Sequence, residues 1–282
     1  MDMALQREKA ETLRALHQGP DILILANTSD AATSRIIVEA GYTAVATSSA
    51  GIAWAQGYPD GEEISREEML QVVRRIVQSV DVPVTADMEA GYGAQPEDVA
   101  ATIRATLDAG AVGLNLEDSN PKEDGHPLFD FKHSVDRIAA GRAASDEFGI
   151  PIVINARCDS FAGRSPGTGE WNQAMAEASA RGNAYLEAGA DCVFVPFVRD
   201  AETITTLVRE IDGPVNSLSG APSPTIPELR DIGVRRISVG GLITLAAATL
   251  FRNAAEELRG PGTYSFAKDV ILHPEMNKLM GE

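Results

Sequence analysis

Histidine, cysteine and basic residues are scarce in this sequence of 282 residues. There are four histidines and two cysteines, and 24 lysines and arginines stand against 41 aspartates and glutamates, which gives a formal net charge of -17. Nucleic-acid binding requires a basic surface patch, so this charge balance argues against a nucleic-acid partner. Cys158 and Cys192 border apolar segments, where we expect buried thiols in a reducing compartment rather than a disulfide.

Long apolar runs are also absent. No stretch approaches the roughly 20 residues that cross a bilayer, and residues 1–19 are charged and helix-like, without the apolar core of a signal peptide. We therefore expect a cytoplasmic protein without a membrane partner. A hydrophobic fraction of 44% over this length allows one sizeable core, and the length is typical of a single α/β barrel.

A short apolar segment followed by a helical pattern occurs eight times along the chain. The segments are rich in Val, Ile and Ala, as buried strands are. The predicted strands are residues 22–26, 44–48, 82–87, 112–117, 152–157, 192–196, 214–217 and 236–239. This order favours parallel strands with right-handed crossovers, so residues 1–260 are predicted to form one α/β domain, a (β/α)8 TIM barrel.

An open doubly wound sheet is the alternative architecture, but residues 26–30, after the first strand, lack the G-x-G-x-x-G fingerprint. Residues 261–282 are too apolar for a free tail and are expected to pack on the barrel or on a neighbouring subunit. Three connections, at residues 49–63, 119–133 and 159–169, are unusually long loops. All three follow strands, so they should overhang the face where barrel enzymes have their active sites.

Carboxylates are concentrated at the ends of the third and fourth predicted strands. Asp87 ends one strand, Glu89 follows two residues later, and Glu117 ends the next strand. Side chains two residues apart in a strand point to the same side, so the three carboxylates can converge at the barrel mouth. Oxygen ligands without histidine or thiolate suit Mg²⁺ or Mn²⁺. Helix-capping and turn roles would place acids at the same positions.

Several short motifs resemble those of the isocitrate lyase and phosphoenolpyruvate mutase superfamily, over about residues 22–258. They are D-M-E-A-G-Y-G at 87–93, E-D at 117–118, G-Y-P-D at 57–60 and N-A-R at 155–157. The resemblance implies a β/α barrel, often with the last helix exchanged between the subunits of a homodimer or homotetramer. It also implies Mg²⁺-dependent cleavage or formation of C–C or P–C bonds in 2-oxo or 2-hydroxy acids.

The resemblance also assigns metal ligands by position. Asp87 would bind the metal ion directly, while Glu89, Glu117 and Asp60 would hold its water molecules. The family more often has Asp at position 89, and the longer carboxylate of Glu89 preserves the charge.

Substrate contacts follow in the same way. Ser48, Ser49 and the amide of Ala50 match the segment that cradles the substrate carboxylate, and hydroxyl and N–H groups at a strand end suit an anion. Asn216 matches a position that donates a hydrogen bond to the substrate, although a turn-capping role fits as well. Arg157 closes the fifth strand and requires an anionic partner, which is either the substrate or a neighbouring carboxylate in a structural ion pair.

The loop after the fourth strand carries the reaction-specific residue in this superfamily. Lyases of the methylisocitrate kind have K-[KR]-C-G-H there, with a cysteine that protonates the enolate, and phosphonomutases have K-x-N-S. This chain reads P-K-E-D-G-H at 121–126, so Lys122 and His126 fit the lyase pattern while Asp124 takes the cysteine position. Asp124 can donate a proton only if burial or a neighbouring anion raises its pKa. His126 is expected to relay protons or to orient Lys122.

The leading hypothesis is a Mg²⁺-dependent lyase that cleaves or forms a C–C bond in a small anionic carboxylate through an enolate. Asp124, His126, Lys122 and Arg157 would be its catalytic residues. P–C bond chemistry, as phosphonopyruvate hydrolysis or phosphonomutase activity, is the alternative within the enzymes. The aspartate in the cysteine position leaves a third possibility, a barrel that binds 2-oxo acids without catalysis.

Overall fold

The fold is that of a computed structural model, which describes residues 2–125 and 127–281. Its parallel sheet is built from short buried strands, and six of the nine described strands end in a polar or charged residue. The strands of the described part are β1 (Leu23–Leu25), β2 (Asn27–Thr28), β3 (Val45–Thr47), β4 (Val84–Asp87), β5 (Gly113–Glu117), β6 (Val153–Arg157), β7 (Cys192–Phe194), β8 (Val215–Leu218) and β9 (Arg236–Ser238).

The strand order shows how the sheet closes into a barrel. Neighbouring strands follow the order β1-β9-β8-β7-β6-β5-β4-β3-β2, and all of these pairs are parallel. β1 lies within the first predicted strand, residues 22–26, and β2 follows directly after Ala26, beyond the predicted end. β1 pairs with the last strand and β2 pairs with β3. The TIM-barrel prediction is therefore confirmed, and an open doubly wound sheet is excluded.

Helices alternate with the strands and cover the outside of the barrel. They are α1 (Met3–Gln18), α2 (Ala31–Glu39), α3 (Ser49–Gln56), α4 (Arg66–Ser79), α5 (Pro96–Asp108), α6 (Phe131–Phe148), α7 (Gly169–Glu187), α8 (Ala201–Glu210), α9 (Ile226–Ile232), α10 (Leu242–Arg259) and α11 (His273–Leu279). Side chains such as Asp30, Ser65 and Asp200 accept hydrogen bonds from first-turn amides and so fix where the helices begin.

Helix α3 lies where the sequence predicted a continuous loop over residues 49–63, so that prediction is wrong in part. The Ser48 side chain accepts a hydrogen bond from the Gly51 amide at the start of the helix, and Gly57, with φ +87°, ends it. Both are standard capping signals, and they make eight small and apolar residues helical directly after β3.

Helix α1 closes the amino-terminal end of the barrel. The Gln6 side-chain amide donates to the Leu107 carbonyl at 2.8 Å, and Leu13 and His17 are buried on the same helix face. The opposite end is left to the loops that follow the strands. A cavity opens at that end of the strands.

Helix α10 departs from the pattern of the other long helices because none of its side chains is buried. It exposes Leu245, Leu250 and Phe251 to solvent. Beside β1 and β9 lies an apolar groove of about 310 Å³, lined in part by Ile24 and Ile237. In the described lining, α10 contributes Leu242 and Ile243 at its start to this groove, and it buries no side chain against the two strands.

The segment that follows α10 touches the barrel through α11, where Arg35 donates to the Leu279 carbonyl at 2.8 Å. Tyr264, Val270 and Leu272 of this segment are exposed. Among the described residues, no helix combines the length and apolar character required to cross a membrane.

Candidate active site

A cavity of about 620 Å³ opens at the carboxyl ends of the strands. Its lining includes four carboxylates from four different connections, and Arg157 is the single cationic side chain among the described lining residues. The four carboxylates are Asp60, Glu89, Glu117 and Asp159. This is the face on which the sequence predicts the site.

Asp87 is held behind the wall of this cavity. Its Oδ2 accepts hydrogen bonds from the Ser49 amide at 3.0 Å and the Ser49 hydroxyl at 2.8 Å, and its Oδ1 accepts from Asn115 at 3.3 Å. The Asp87 amide donates to the Thr47 hydroxyl at 2.8 Å. Three donors therefore fix the orientation of the carboxylate.

Glu89 lines the cavity, but it does not lie in an extended strand as the sequence predicts. β4 ends at Asp87, and Glu89 lies in a left-handed turn with φ +50°. Its Oε2 accepts a hydrogen bond from the Glu62 amide at 2.7 Å, whereas its buried Oε1 has no partner among the described residues. Burial, and then the negative charges of Asp87 and Asp60, raise the pKa of Glu89 to about 8.

Glu62 connects two loops around this turn and was not predicted from the sequence. Its carboxylate accepts from the Tyr92 amide at 2.7 Å, and its carbonyl accepts from the Lys122 ammonium at 3.1 Å. Glu62, Glu89 and Tyr92 all have left-handed backbones, with φ of 58°, 50° and 58°. Non-glycine residues adopt this conformation only where surrounding contacts enforce it, as they do here.

Arg157 forms the cationic centre of the opposite wall. It lies directly across from Glu117 in the sheet register and donates to the Glu117 carboxylate through Nη1. Its Nε and Nη2 donate to the two oxygens of Asp159 at 2.6 and 3.0 Å. Burial raises the pKa of Glu117 well above its ordinary value, against the lowering effect of Arg157. The structure is compatible with both predicted roles of Arg157. It forms ion pairs with neighbouring carboxylates, and it also lines the cavity where it can contact an anionic substrate.

Asp159 was missed in the sequence, although a signal for it exists. It follows Arg157 at the same two-residue spacing that drew attention to Asp87 and Glu89. Ser119 donates to Asp159 at 3.1 Å, and the Asp159 amide donates to Asp118 at 2.9 Å. Tyr185 in turn donates to Asp118 at 2.6 Å, so a buried network supports this wall from behind.

Some predicted residues lie outside the cavity lining. Asn216 is buried and donates to the Ser238 hydroxyl at 3.2 Å, and Ser48 caps α3. Lys122 and Asp124 are exposed on the loop after β5. Ala50 lies in the first turn of α3, whose start faces the cavity through Ser49. The predicted catalytic residue His126 falls outside the described residues.

A second set of residues missed in the sequence fills the barrel interior below Asp87. Asn115 Oδ1 accepts from Asn155 at 2.8 Å and from Arg236 at 3.2 Å. Arg236 lies 3.3 Å from the His17 ring nitrogen Nε2, and no described carboxylate forms an ion pair with it. Burial, followed by the Arg236 charge, lowers the pKa of His17 to about 3. A buried arginine gives no periodic signal in the sequence.

The donor set at the mouth fits a hard cation that keeps several waters. Among the described residues, no three His, Cys, Asp or Glu side chains come together as a complete direct ligand set. The unpartnered Oε1 of Glu89 and the neighbouring carboxylates are nevertheless oxygen donors that repel each other without positive charge. This arrangement suits one direct ligand and contacts through water rather than a fully protein-made cage.

Comparison with known proteins adds to this geometry. The family model described as phosphoenolpyruvate phosphomutase matches residues 13–259. The 2-methylisocitrate lyase of Escherichia coli (strain K12) is 29% identical over 264 residues, which cover 88% of this chain and 84% of that protein. The 2,3-dimethylmalate lyase of Eubacterium barkeri is 27% identical over 282 residues, covering 96% and 94%.

Solved structures agree with the family match. A crystal structure from Burkholderia cenocepacia J2315, whose description leaves its activity open as lyase or mutase, has a TM-score of 0.90 and 36% identity. The similarity covers 99% of this chain and 98% of that one. Because the family match spans nearly the whole barrel, this chain belongs to the isocitrate lyase and phosphoenolpyruvate mutase superfamily of lyases and mutases that act on small carboxylates.

Proposed function

We propose that this protein is a Mg²⁺-dependent lyase that cleaves or forms a C–C bond in a small 2-oxo or 2-hydroxy acid through an enolate. The observation that carries the proposal is the buried, unpartnered Glu89 oxygen among converging carboxylates, opposite Arg157. Mn²⁺ would fit the same oxygen donors.

In this proposal the walls of the cavity have separate tasks. Asp87 binds the metal, and Glu89, Glu117 and Asp60 hold its water ligands. The start of α3, at Ser48 to Ala50, and Arg157 bind the substrate carboxylate, since amide N–H groups at a helix start and a guanidinium both favour anions. When bound, Mg²⁺ supplies positive charge close to the oxygen on which the enolate charge develops.

The loop after β5 supplies the proposed proton donor. An antiparallel bridge between Ser119 and Leu128 closes the base of this loop, and Gly125 reaches the cavity lining. Asp124 is exposed, so proton donation by Asp124 requires the loop to move over the cavity and bury it. Lys122 and His126 are the other proposed catalytic residues of the loop. Asn216 is buried beneath the cavity lining, so its proposed hydrogen bond to the substrate would replace the one that it donates to Ser238.

The direct test is the replacement Asp87→Ala. Wild-type protein is expected to gain thermal stability with Mg²⁺ or Mn²⁺ and to convert a member of a panel of 2-oxo and 2-hydroxy acids, whereas Asp87→Ala should lose both properties. Asp136→Ala, which removes an exposed carboxylate in α6, is the matched control and should behave as wild type. Normal turnover and metal stabilisation in Asp87→Ala would refute the proposal.

P–C bond chemistry is the second candidate, because the matching family model is described as a phosphomutase and position 124 lacks the lyase cysteine. Phosphorus NMR of protein incubated with phosphonopyruvate separates the two reactions. Loss of the C–P signal would favour phosphonopyruvate hydrolysis or mutase activity. A third candidate, a binding barrel without catalysis, predicts Mg²⁺-dependent oxalate binding and no product from any 2-oxo acid.

We also propose that the chain forms a homodimer or homotetramer in which α10 is exchanged. The support is that α10 buries no side chain while an apolar groove of about 310 Å³ lies beside β1 and β9. Light scattering after size exclusion should give a mass of two or four chains. Phe251→Glu, at a residue that is 79% exposed, should shift the protein toward monomer, whereas Arg252→Glu on the same helix tests whether any new charge has that effect. A wild-type monomer would contradict this proposal.

A further inference from the structure

We propose that Arg137 is a positioning residue for the metal site, which holds the turn that carries Glu89 and so sets the affinity of the mouth for a divalent cation. The inference rests on the proposed function, because it concerns the metal ion that the proposal places at the mouth. Its evidence is the burial of Arg137 and the three parts of the site that its guanidinium adjoins.

The first step is the burial of a charge without a charged partner. Arg137 lies on α6, the helix that follows the loop after β5, and its side chain is 1% exposed. Within the described chain, no carboxylate forms an ion pair with it. Burial lowers the pKa of Arg137 to about 10, so the side chain is still charged at pH 7. An apolar residue at this position would cost folding less, because a buried charge loses its hydration.

The second step is the contact with the turn that carries Glu89. Arg137 donates through Nη2 to the carbonyl of Ala90, a residue that lines the cavity. The next carbonyl along the chain, that of Gly91, accepts from the Thr102 hydroxyl at 2.7 Å. Side chains from α5 and α6 therefore hold two consecutive carbonyls of a turn whose left-handed backbone requires outside support.

The third step concerns the other wall of the mouth. A cavity of about 10 Å³ behind this wall is lined by residues that include Glu117, Asp118 and Arg137. The Nε and Nη1 atoms of Arg137 are buried and have no hydrogen-bond partner among the described residues. The volume is close to the least that one water molecule requires, so the cavity is too small for a substrate. Arg137 therefore lies behind Glu89 and Glu117, both of which are proposed to hold water ligands of the metal.

The fourth step is a contact with the base of the loop after β5. The guanidinium carbon of Arg137 lies 4.1 Å from the ring centroid of Phe129, a cation–π contact that is favourable away from water. The Phe129 amide donates to the Asp118 carbonyl at 2.8 Å, which fixes this end of the loop on β5. One side chain thus connects the loop that carries Asp124 with the turn that carries Glu89.

Three possible roles of Arg137 predict different metal affinities when it is replaced. If it only packs the core, its loss lowers stability and leaves metal affinity unchanged. If its charge acts alone, its loss tightens metal binding, because a nearby positive charge repels the cation. If it positions the carboxylates, its loss weakens metal binding by about tenfold or more, as loss of outer contacts to metal ligands commonly does.

The test measures Mn²⁺ affinity by electron paramagnetic resonance of the unbound ion, with urea unfolding as the measure of stability. Arg137→Met should bind Mn²⁺ about tenfold more weakly than the wild type. Arg142→Met is the matched control, because Arg142 lies on the same helix and donates to the carbonyls of Gly189 and Ile152 at the amino end of the barrel. It should lose stability and keep the wild-type affinity. Unchanged or tighter Mn²⁺ binding in Arg137→Met would overturn the inference.

Arg137→Lys keeps the inference testable if Arg137→Met does not fold. It retains the buried charge and one donor group, and it should bind Mn²⁺ about threefold more weakly than the wild type, because an ammonium replaces only part of the guanidinium fork. The expected order of affinity is wild type, then Arg137→Lys, then Arg137→Met. An affinity of Arg137→Lys equal to or above that of the wild type would also count against the positioning role.

Failure of this inference and failure of the proposed function give different results. If the wild type binds neither Mn²⁺ nor Mg²⁺, the proposed function fails and the role of Arg137 fails with it. If the wild type binds the cation and loss of the guanidinium does not weaken binding, the proposed function stands and the assignment of Arg137 is wrong. Circular dichroism of each variant confirms that the affinities are those of folded protein.

Discussion

The carboxyl-end mouth of the barrel and its amino-end interior carry opposite charges and are stabilised in opposite ways. The mouth gathers Asp60, Glu89, Glu117 and Asp159 around one arginine. The interior contains a buried arginine, Arg236, and a histidine that its surroundings keep neutral, with no ion-paired carboxylate among the described residues. Asn115 lies between the two regions and contacts both Asp87 and Arg236.

The difference shows where this protein departs from optimal stability. The interior keeps His17 neutral, and two nitrogens of Arg236 contact amide and ring acceptors, although its Nε has no partner among the described residues. The mouth keeps mutually repelling carboxylates and an unpartnered oxygen, an arrangement that folding by itself would not favour. The mouth is therefore the region where ligand binding should increase stability, and the interior should be indifferent to ligands.

The largest effect is expected from Arg157→Ala, which removes the one cation of the mouth. Glu117 and Asp159 would lose their partner while still largely buried, and breaking a buried pair in this way costs about 3–5 kcal/mol. Urea unfolding at pH 7 measures the loss, which should shrink at lower pH because burial raises the pKa of Glu117 and the freed carboxylate takes up a proton. Lys132→Ala breaks an exposed pair and should cost about 0.5 kcal/mol or less. Equal losses of unfolding free energy in the two variants would show that the buried ion pairs of Arg157 contribute no more to stability than the exposed pair of Lys132.

Glu89→Gln should stabilise the metal-free protein. The folded-state pKa of Glu89, about 8, lies above its ordinary value of 4.5, so its stability contribution is present at low pH and is lost as the pH rises from 4.5 to 8. The amide introduced by the substitution cannot ionise, and the variant should be more stable by about 3 kcal/mol at pH 7. Unfolding curves from pH 5 to 8 test this. Mg²⁺ should stabilise the variant less than the wild type, and an identical pH dependence of the two proteins would contradict the prediction.

His17→Gln tests the interior, where the pH dependence has the opposite sign. The folded-state pKa of His17, about 3, lies below its ordinary value of 6.5, so wild type loses stability as the pH falls below 6.5. Between pH 7 and pH 5 this loss amounts to about 2 kcal/mol more in wild type than in the variant. Denaturant titrations at the two pH values, with and without Mg²⁺, give the comparison. A Mg²⁺-dependent difference would show that the two regions are coupled.

Among the variants of the mouth and the interior, Ser49→Ala should have the smallest effect, because it removes one of three hydrogen bonds to Asp87. The Ser49 amide and Asn115 still donate to the carboxylate, so the expected loss is about 1.5 kcal/mol. Thermal unfolding with and without Mg²⁺ separates stability from metal binding. If the hydroxyl competes with the cation for Asp87, the gain in Tm with Mg²⁺ should rise in this variant.

The repeated pattern of strands and helices was predictable because it is local. The fourth predicted strand, residues 112–117, agrees with β5 to within one residue, and the caps at Asp30 and Ser65 begin helices as their sequence signals indicate. Helix α3 was missed because its small residues follow a strand within a long connection. The exposure of α10 was not predictable, because helical periodicity indicates an apolar face without indicating what covers it.

At the site, residue types and chain positions were predictable, while orientations were not. Strand ends identified Asp87, Glu89 and Glu117 as site residues. Glu89, however, reaches the cavity through a left-handed turn that the sequence does not predict. Asp159 carried the same spacing signal and was overlooked. Phe197, which lines the cavity, could not be recognised, because an aromatic residue after a strand is equally consistent with core and with loop packing.

The sequence by itself determined the eightfold alternation of strand and helix, the acidic balance and the end of the barrel at which the carboxylates are placed, since these depend on periodicity and on neighbours close in the chain. Only the tertiary structure decided which carboxylate pairs with Arg157, that Arg236 and His17 share the interior, and that one oxygen of Glu89 is left without a partner among the described residues. Such outcomes depend on contacts between residues far apart in the chain, whose burial and hydrogen bonds are fixed only when the barrel closes.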